Sequence, residues 1–369
     1  MDISVVIPCL NESETIQICI DKIKYQLKQK NLNGEIIISD NGSTDGSIEI
    51  AKKNKVKIIN VKEKGYGNAV STGVKNAKGK YILIADADDS YDFNDLPKFY
   101  DKINEGFDIV QGCRLPGGGG KIEKNAMPIS HRLIGNPLFT FLTKLIYQTT
   151  FNDVYCGMKI LRNEFYKDKF FFSYGMVWCL EILIKSKIWN ARCAEIPLTL
   201  YKDGRKKGKS HLNTISDGLK TLKFILICSP KSIYLAPALI MILFPIIAII
   251  LSIIENNFVF FLNSNLLILL SSTFLSTQLI MLGLYSTLRA ETLGISKKGV
   301  LDNFFNFFSL RLSLFLNITI ILLVNFFGYN NKILYLTAEN SLLFQVFISL
   351  ICLNIIFNSF FISLLRINK

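Results

Sequence analysis

Three carboxylates fall within four residues at Asp86-Ala87-Asp88-Asp89, directly after the apolar run Tyr81-Ile82-Leu83-Ile84-Ala85. Carboxylates spaced Asp-x-Asp suit a hard divalent cation, which takes oxygen ligands and shares them with a substrate phosphate. In open α/β sheets ligands bind beyond the C-terminal ends of the strands, so a strand that stops on such a cluster is a candidate site. An acidic turn accounts for the stretch equally well when it is taken alone.

The elements around it separate the two readings. Ser4-Val5-Val6-Ile7 has the length and composition of a buried strand ended by Pro8, and Ile16, Ile20, Ile23 and Leu27 then repeat at helical spacing. Glu35 to Asp40 reads as a second strand that runs into the turn Asn41-Gly42-Ser43-Thr44-Asp45-Gly46-Ser47, and Val56 to Val61 reads as a third. Tyr81 to Ala85 is the fourth. Alternating strands and helices predict a mostly parallel sheet. Strands one, two and four then end on one edge, where the polar clusters at Pro8–Glu12, Asp40–Asp45 and Asp86–Asp89 converge. No Gly-x-Gly-x-x-Gly follows the first strand and no P-loop occurs, which sets aside dinucleotide oxidoreductases and P-loop NTPases.

Val5-Val6-Ile7-Pro8-Cys9-Leu10-Asn11-Glu12, Asp40-Asn41-Gly42-Ser43-Thr44-Asp45 and Asp86-Ala87-Asp88, in this order, resemble the signatures of family 2 glycosyltransferases. The resemblance implies a GT-A fold, an α/β domain that binds a nucleotide sugar (a UDP- or GDP-hexose) with Mg²⁺ or Mn²⁺. By position, Pro8, Asn11, Glu12, Asp40, Asp45 and Asp86 are expected at the nucleotide sugar, and Asp88 and Asp86 at the metal. Asp86, Asp88, Asp89 and Arg114 are the expected catalytic set.

Later stretches resemble the polyprenyl-phosphate subgroup, the dolichyl-phosphate mannose and glucose synthases. They are Asp108 to Arg114, Ala126 to Pro137, Asp153 to Lys159, Gly175 to Glu181 and the basic loop Lys202 to Ser210. Arg132, Arg205 and Lys209 are expected at the lipid phosphate, because a guanidinium fork or an ammonium suits phosphate oxygens. Ser90 stands where mannose synthases usually carry Gln, which leaves the third metal ligand open. Gly117 to Gly120 reads as a flexible linker, with a lid as the alternative. A lipid phosphate is already anionic and needs no general base. Transfer to a neutral lipid such as diacylglycerol would need one, with Asp89 or Asp153 as candidates.

The 369 residues carry a formal charge of +13, and 50% are apolar. Nucleic acid is disfavoured as a partner, because no aromatic-and-basic binding motif occurs. Eight scattered cysteines without a Cys-x-x-Cys pair, and only two histidines, read as buried thiols in a reducing compartment.

The start of the chain goes directly into a strand, which places the first half in the cytosol. Three domains are expected: residues 1–210 as the cytosolic GT-A domain, 211–231 as an amphipathic interfacial helix, and 232–369 as a transmembrane domain. Its spans are placed at about 235–254, 258–284, 312–327 and 342–365, the third being the shortest. Arg289, Lys297, Lys298, Arg366 and Lys369 lie on one side of these spans and only Lys332 on the other. The positive-inside rule therefore keeps the catalytic half and both termini cytosolic. The expected protein is an integral membrane enzyme of the plasma (inner) membrane if bacterial. It moves one hexose to polyprenyl phosphate with inversion. A transport partner with a degenerate sugar-binding domain is the reading of a different class.

Overall fold

The computed structural model describes residues 1–205, 214–255, 258–295, 310–329 and 338–367. The chain divides into two compact units, Met1–Phe224 and Ile225–Lys369.

The first unit alternates β1 (Ile3–Cys9), α1 (Ile16–Gln29), β2 (Gly34–Asp40), α2 (Ser47–Lys53), β3 (Lys57–Asn60), α3 (Tyr66–Asn76) and β4 (Tyr81–Ile84). There follow α4 (Leu96–Asn104), β5 (Ile109–Cys113), β6 (Lys121–Ile122), α5 (Asn136–Tyr147), β7 (Lys159–Arg162), α6 (Asn163–Tyr166), α7 (Trp178–Ile188), β8 (Cys193–Pro197) and β9 (Thr199–Leu200). The main sheet has the order β3-β2-β1-β4-β7-β5-β8.

Every residue of β1 is buried, as a strand covered on both faces requires. On α1, Ile16, Cys19, Ile20 and Ile23 share one buried face against the sheet. Full burial of such a side chain is worth roughly 1.5–3 kcal/mol.

The sheet is parallel except for β7, which lies antiparallel between β4 and β5. Reversal has a consequence for the site. The loop that precedes β7 reaches the same edge as the C-terminal ends of β1, β2, β4 and β5, and Lys159 pairs with Ile84 beside that edge.

The glycine run 117–120 is not a linker. Pro116–Gly118 forms a 3₁₀ turn, and a Cβ at Gly120 would stand 2.2 Å from the Cys113 carbonyl oxygen. The run is packed against β5 and leads into β6, which pairs with β9.

The described part of the expected amphipathic helix is α8 (Thr214–Cys228). Thr221 and Phe224 on it are buried, whereas Leu219 and Leu222 are exposed. The unit boundary falls within this helix.

The second unit contains α9 (Ala236–Ile254), α10 (Phe258–Thr292), α11 (Leu310–Tyr329) and α12 (Ala338–Ile367). Among the described residues, three stretches are long and apolar enough to cross a membrane: Ser232–Ile254, Ser264–Thr292 and Glu339–Phe360. The fourth apolar helix, Arg311–Phe326, is shorter and coincides with the span expected to be shortest. Arg289, expected in a connecting loop, belongs to the last turn of α10. Asn317, a polar residue within the expected third span, donates to Ser313 O of its own helix at 2.7 Å.

Candidate active site

The loops after β1 and β2 are joined side by side. Asn11 adopts a left-handed backbone (φ 58°), and its Oδ1 accepts from the Thr44 amide at 2.8 Å. Asp45 accepts from the amides of Ser13 (2.9 Å) and Ser47 (3.0 Å) and from the Ser47 hydroxyl. Burial acts to raise the Asp45 pKa, but these donors outweigh it and hold the carboxyl at about 2. Asp40 closes its own turn by accepting from the amides of Gly42 (3.0 Å) and Ser43 (3.1 Å). Pro8 is buried within β1 opposite Ser39. Asn11 and Asp45 therefore tie the two loops together, and Glu12 and Asp40 are buried beside them; none of the four, nor Pro8, lines the cleft around Asp86 and Asp88.

Asp86 and Asp88 follow β4 and line a cleft of about 760 Å³, together with Tyr91, Arg114, His131 and Arg205. Burial, then the charge of Asp88, raises the Asp86 pKa to about 6, while Tyr66, Lys159 and Arg114 act in the opposite direction. Asp86 Oδ1 is buried and has no hydrogen-bond partner. Asp88 Oδ1 accepts from the Ser90 amide and hydroxyl (3.1 and 2.6 Å), and its Oδ2 lies 3.6 Å from Arg205 Nη2.

An orphaned carboxylate oxygen beside a second carboxylate fits a hard cation. Among the described residues no group of three or more His, Cys, Asp or Glu side chains could hold a metal.

Asp89 does not join this pair. It sits in a left-handed backbone (φ 60°), bonds Lys22 at 2.9 Å and does not line the cleft. The turn sends its side chain to α1 and away from the reacting edge.

The opposite wall comes from the loop before β7. Asp153 is fully buried and accepts from Arg114 Nε (2.7 Å), Nη2 (2.9 Å) and backbone N (3.0 Å). Burial opposes ionisation of both groups, but their mutual charge outweighs it, lowering the Asp153 pKa and raising that of Arg114. Asp153 is thus a poor proton acceptor, which removes it as a general base. Arg114, expected in the catalytic set, has its fork committed to Asp153 and its Nη1 directed to Tyr91 Oη at 3.3 Å.

Three residues given no role from the sequence, two of them within the stretch Asp153 to Lys159, complete this wall. Tyr91 Oη accepts from the Gly157 amide at 2.7 Å. A Cβ on Gly157 would stand 2.5 Å from Asp86 Oδ2, so any larger residue there has to displace that carboxylate. Lys159 is fully buried and donates to Cys156 O (2.7 Å) and Gly157 O (3.2 Å). A lone lysine in the apolar run Met158-Lys159-Ile160-Leu161 was the available signal.

Of the other basic candidates, Arg205 lies in the cleft, bonded to Glu12 through Nε at 2.8 Å and through Nη2. Arg132 is exposed beside the cleft-lining His131 and does not itself line the cleft. Lys209 lies outside the described residues.

The glycosyl transferase family 2 profile matches residues 4–170. A dolichyl-phosphate hexose transferase of Haloferax volcanii is 30% identical over 218 residues, covering 59% of this chain and 89% of the relative. The chain belongs to glycosyl transferase family 2. The low-salt glycan biosynthesis hexosyltransferase Agl6 of the same organism is 31% identical to this glycosyltransferase over 251 residues, covering 68% of the chain but only 59% of Agl6. A mycobacterial protein of known crystal structure aligns with a TM-score of 0.50 and 18% identity over 61% of this chain and 74% of its own, a likeness of fold alone. The GT-A fold expected of a family 2 glycosyltransferase is the one observed, with its mostly parallel sheet followed by apolar helices.

Proposed function

We propose that this glycosyltransferase moves a single hexose from a UDP- or GDP-hexose to polyprenyl phosphate at the cytosolic face of a membrane, with inversion at the anomeric carbon. One observation carries the reading: the cleft holding Asp86 and Asp88 is continuous with an exposed apolar surface. Ile129, His131 and Ile134 line the cleft, and Ile129, Leu133, Ile134, Phe141 and Leu145 are exposed. Asn136, Thr140 and Thr143, on the other side of α5, are buried. An amphipathic surface of this kind beds into the headgroup boundary of a bilayer and brings a lipid-borne phosphate to the cleft mouth. The apolar helices of the second unit, the positive-inside charge pattern and the name of the Haloferax volcanii transferase support the same acceptor.

In this reading Glu12 and Asp40 hold the nucleoside, and Asn11 and Asp45 fix the loops that carry them. Asp88 and Asp86 hold Mg²⁺ or Mn²⁺, which when bound offsets the negative charge gathering on the departing nucleoside diphosphate. The acceptor phosphate oxygen is anionic at neutral pH and attacks the anomeric carbon as the bond to the donor diphosphate breaks. No proton has to be removed, so catalysis consists of positioning and charge stabilisation. A single displacement converts an α-linked donor into a β-linked sugar phosphate. Arg114 and Asp153 brace the wall opposite the carboxylates, and Arg205 is the cation placed to meet phosphate oxygens. Arg132, exposed beside the cleft, serves the lipid phosphate, and Lys209 is given the same role from its place in the basic loop of the sequence.

The test uses the full chain in lipid nanodiscs with Mg²⁺ or Mn²⁺, polyprenyl phosphate and a panel of UDP- and GDP-hexoses. Acid-labile glycolipid formed from one donor is the expected result. Transfer only to diacylglycerol, or to no lipid, overturns the proposal.

A further inference from the structure

Tyr66 stands in the first turn of α3, and its hydroxyl is buried without a hydrogen-bond partner. Asp86 Oδ1 is buried without one as well. One is a donor and the other an acceptor, and they act on each other. Against burial and the charge of Asp88, the Tyr66 hydroxyl lowers the Asp86 pKa more than Lys159 or Arg114 does. Burial, then the charge of Asp86, raises the Tyr66 pKa well above its ordinary value, so the phenol keeps its proton. The two groups are neighbours, yet the bond between them is not closed.

The backbone holds Tyr66 in this place. The Gly65 amide donates to Asn41 Oδ1 at 2.7 Å, in the loop after β2, and the Gly67 amide donates to Tyr174 O at 2.8 Å. A Cβ on Gly65 would overlap the Tyr174 carbonyl oxygen and one on Gly67 that of Ser173, so both glycines are needed for the segment that clamps this turn. Tyr91, the other phenol at the cluster, is already committed, since its Oη accepts from the Gly157 amide and from Arg114. A buried hydroxyl that makes no bond costs stability, a cost that phenylalanine would avoid.

The two oxygens of Asp86 have different surroundings. Oδ1 is closed off, whereas the residue as a whole is partly exposed and lines the cleft. Oδ2 stands beside Gly157, which lines the cleft too. Oδ2 is therefore the oxygen available to a cation, and Oδ1 the one available to Tyr66.

We propose that Tyr66 is the positioning residue for Asp86: its hydroxyl donates to Oδ1 when the carboxylate engages a divalent cation, and so fixes the direction in which Oδ2 is presented. The proposal rests on the reading of Asp86 and Asp88 as the residues that hold the cation. A group that orients a metal ligand in this way is typically worth about 10–100-fold in affinity.

Mn²⁺ binding to the full chain in phosphatidylcholine nanodiscs, followed by electron paramagnetic resonance, tests the role in the parent, Tyr66→Phe and Asp86→Asn. Tyr66→Phe is expected to weaken Mn²⁺ binding by about tenfold or more. The Tm of the same variant without metal is expected to equal or exceed that of the parent, because no closed hydrogen bond is lost. A lower Tm, or failure to fold, marks a merely structural tyrosine and overturns the proposal. Parent affinity in Tyr66→Phe, with weak binding in Asp86→Asn, overturns the role of Tyr66 and leaves the cation reading standing. A parent that binds no Mn²⁺, or binds it no better than Asp86→Asn, overturns the cation reading and the proposal with it.

Discussion

Arg205 and Glu12, 193 residues apart in the chain, form a forked ion pair over the carboxylate cluster, with Arg205 Nε 2.8 Å from Glu12 Oε2. Arg205 Nη2 also stands 3.6 Å from Asp88 Oδ2, the oxygen that Ser90 leaves free. The segment that carries it is fastened to the acidic turn, since the Gly204 amide donates to Asp88 O at 2.8 Å and the Tyr201 amide to Ser90 O at 3.0 Å. Burial disfavours the Arg205 charge, but the bonds to Glu12 and the charge of Asp88 outweigh it and raise its pKa. A guanidinium so placed competes with a metal ion for Asp88. Arg205→Gln is therefore expected to bind free Mn²⁺ more tightly, by roughly fivefold, as one unit charge about 4 Å away through water is worth about 1 kcal/mol. Titration followed by Mn²⁺ electron paramagnetic resonance measures it; equal or weaker binding means that Arg205 does not compete.

The two neighbouring carboxylates should part company on mutation. Asp88→Asn is expected to reduce glycolipid formation by about 10²-fold or more while the fold persists, the loss typical of a group that supports charge in the transition state. Asp89→Asn breaks a half-exposed pair with Lys22, worth about 0–1 kcal/mol, and should leave turnover within about tenfold of the parent. Turnover and circular dichroism on both variants decide this. Equal losses would return Asp89 to the reacting edge.

Gly157→Ala tests the wall under Asp86. A methyl group 2.5 Å from Asp86 Oδ2 has to push that carboxylate aside, and misplacing a reacting group by about 1 Å costs about 10²-fold in rate. Mn²⁺ affinity and turnover are expected to fall together. Unchanged values would show that the carboxylate moves freely.

The raised pKa of Asp86 predicts a pH dependence of stability in metal-free protein. The folded pKa of about 6 lies above the ordinary 3.8, so folding favours the protonated form. Its contribution to stability is complete below about pH 3.8 and lost as pH rises through about 6. Asp86→Asn should then stabilise the metal-free chain at pH 8 by on the order of 2–3 kcal/mol, with the difference vanishing near pH 4. Thermal unfolding of both proteins at the two pH values checks the sign.

Arg114 and Asp153 are expected to fail as a unit. Removing either partner strands a buried charge, at a cost of about 3–5 kcal/mol. Arg114→Met and Asp153→Asn should each lower Tm sharply at pH 7, and the double variant less than the sum of the two. Additive losses would mean that the two groups do not share one interaction.

Much of this protein was legible in its residues because the relevant physics is local. Strand-length apolar runs yield β1, β2 and β4 at nearly the expected bounds, although β1 runs through Pro8, expected to end it, and on to Cys9; right-handed α/β connections leave the strand ends on one edge. Ile16, Ile20 and Ile23 announce the buried face of α1 by their spacing alone. The long apolar blocks after Ser232 need only length and hydropathy to be read as helices of membrane-spanning type.

What the tertiary structure decided were contacts between distant segments and the directions of single side chains. No local pattern reveals that β7 reverses and inserts between β4 and β5, yet that reversal puts Gly157, Lys159 and Asp153 opposite the acidic turn. The glycine run 117–120 has a linker's composition, but its missing side chains serve close packing on β5. The three carboxylates at Asp86, Asp88 and Asp89 are alike as sequence. One left-handed residue divides them, because a single φ of 60° at Asp89 hands that side chain to Lys22 and leaves Asp86 and Asp88 as the pair facing the cleft.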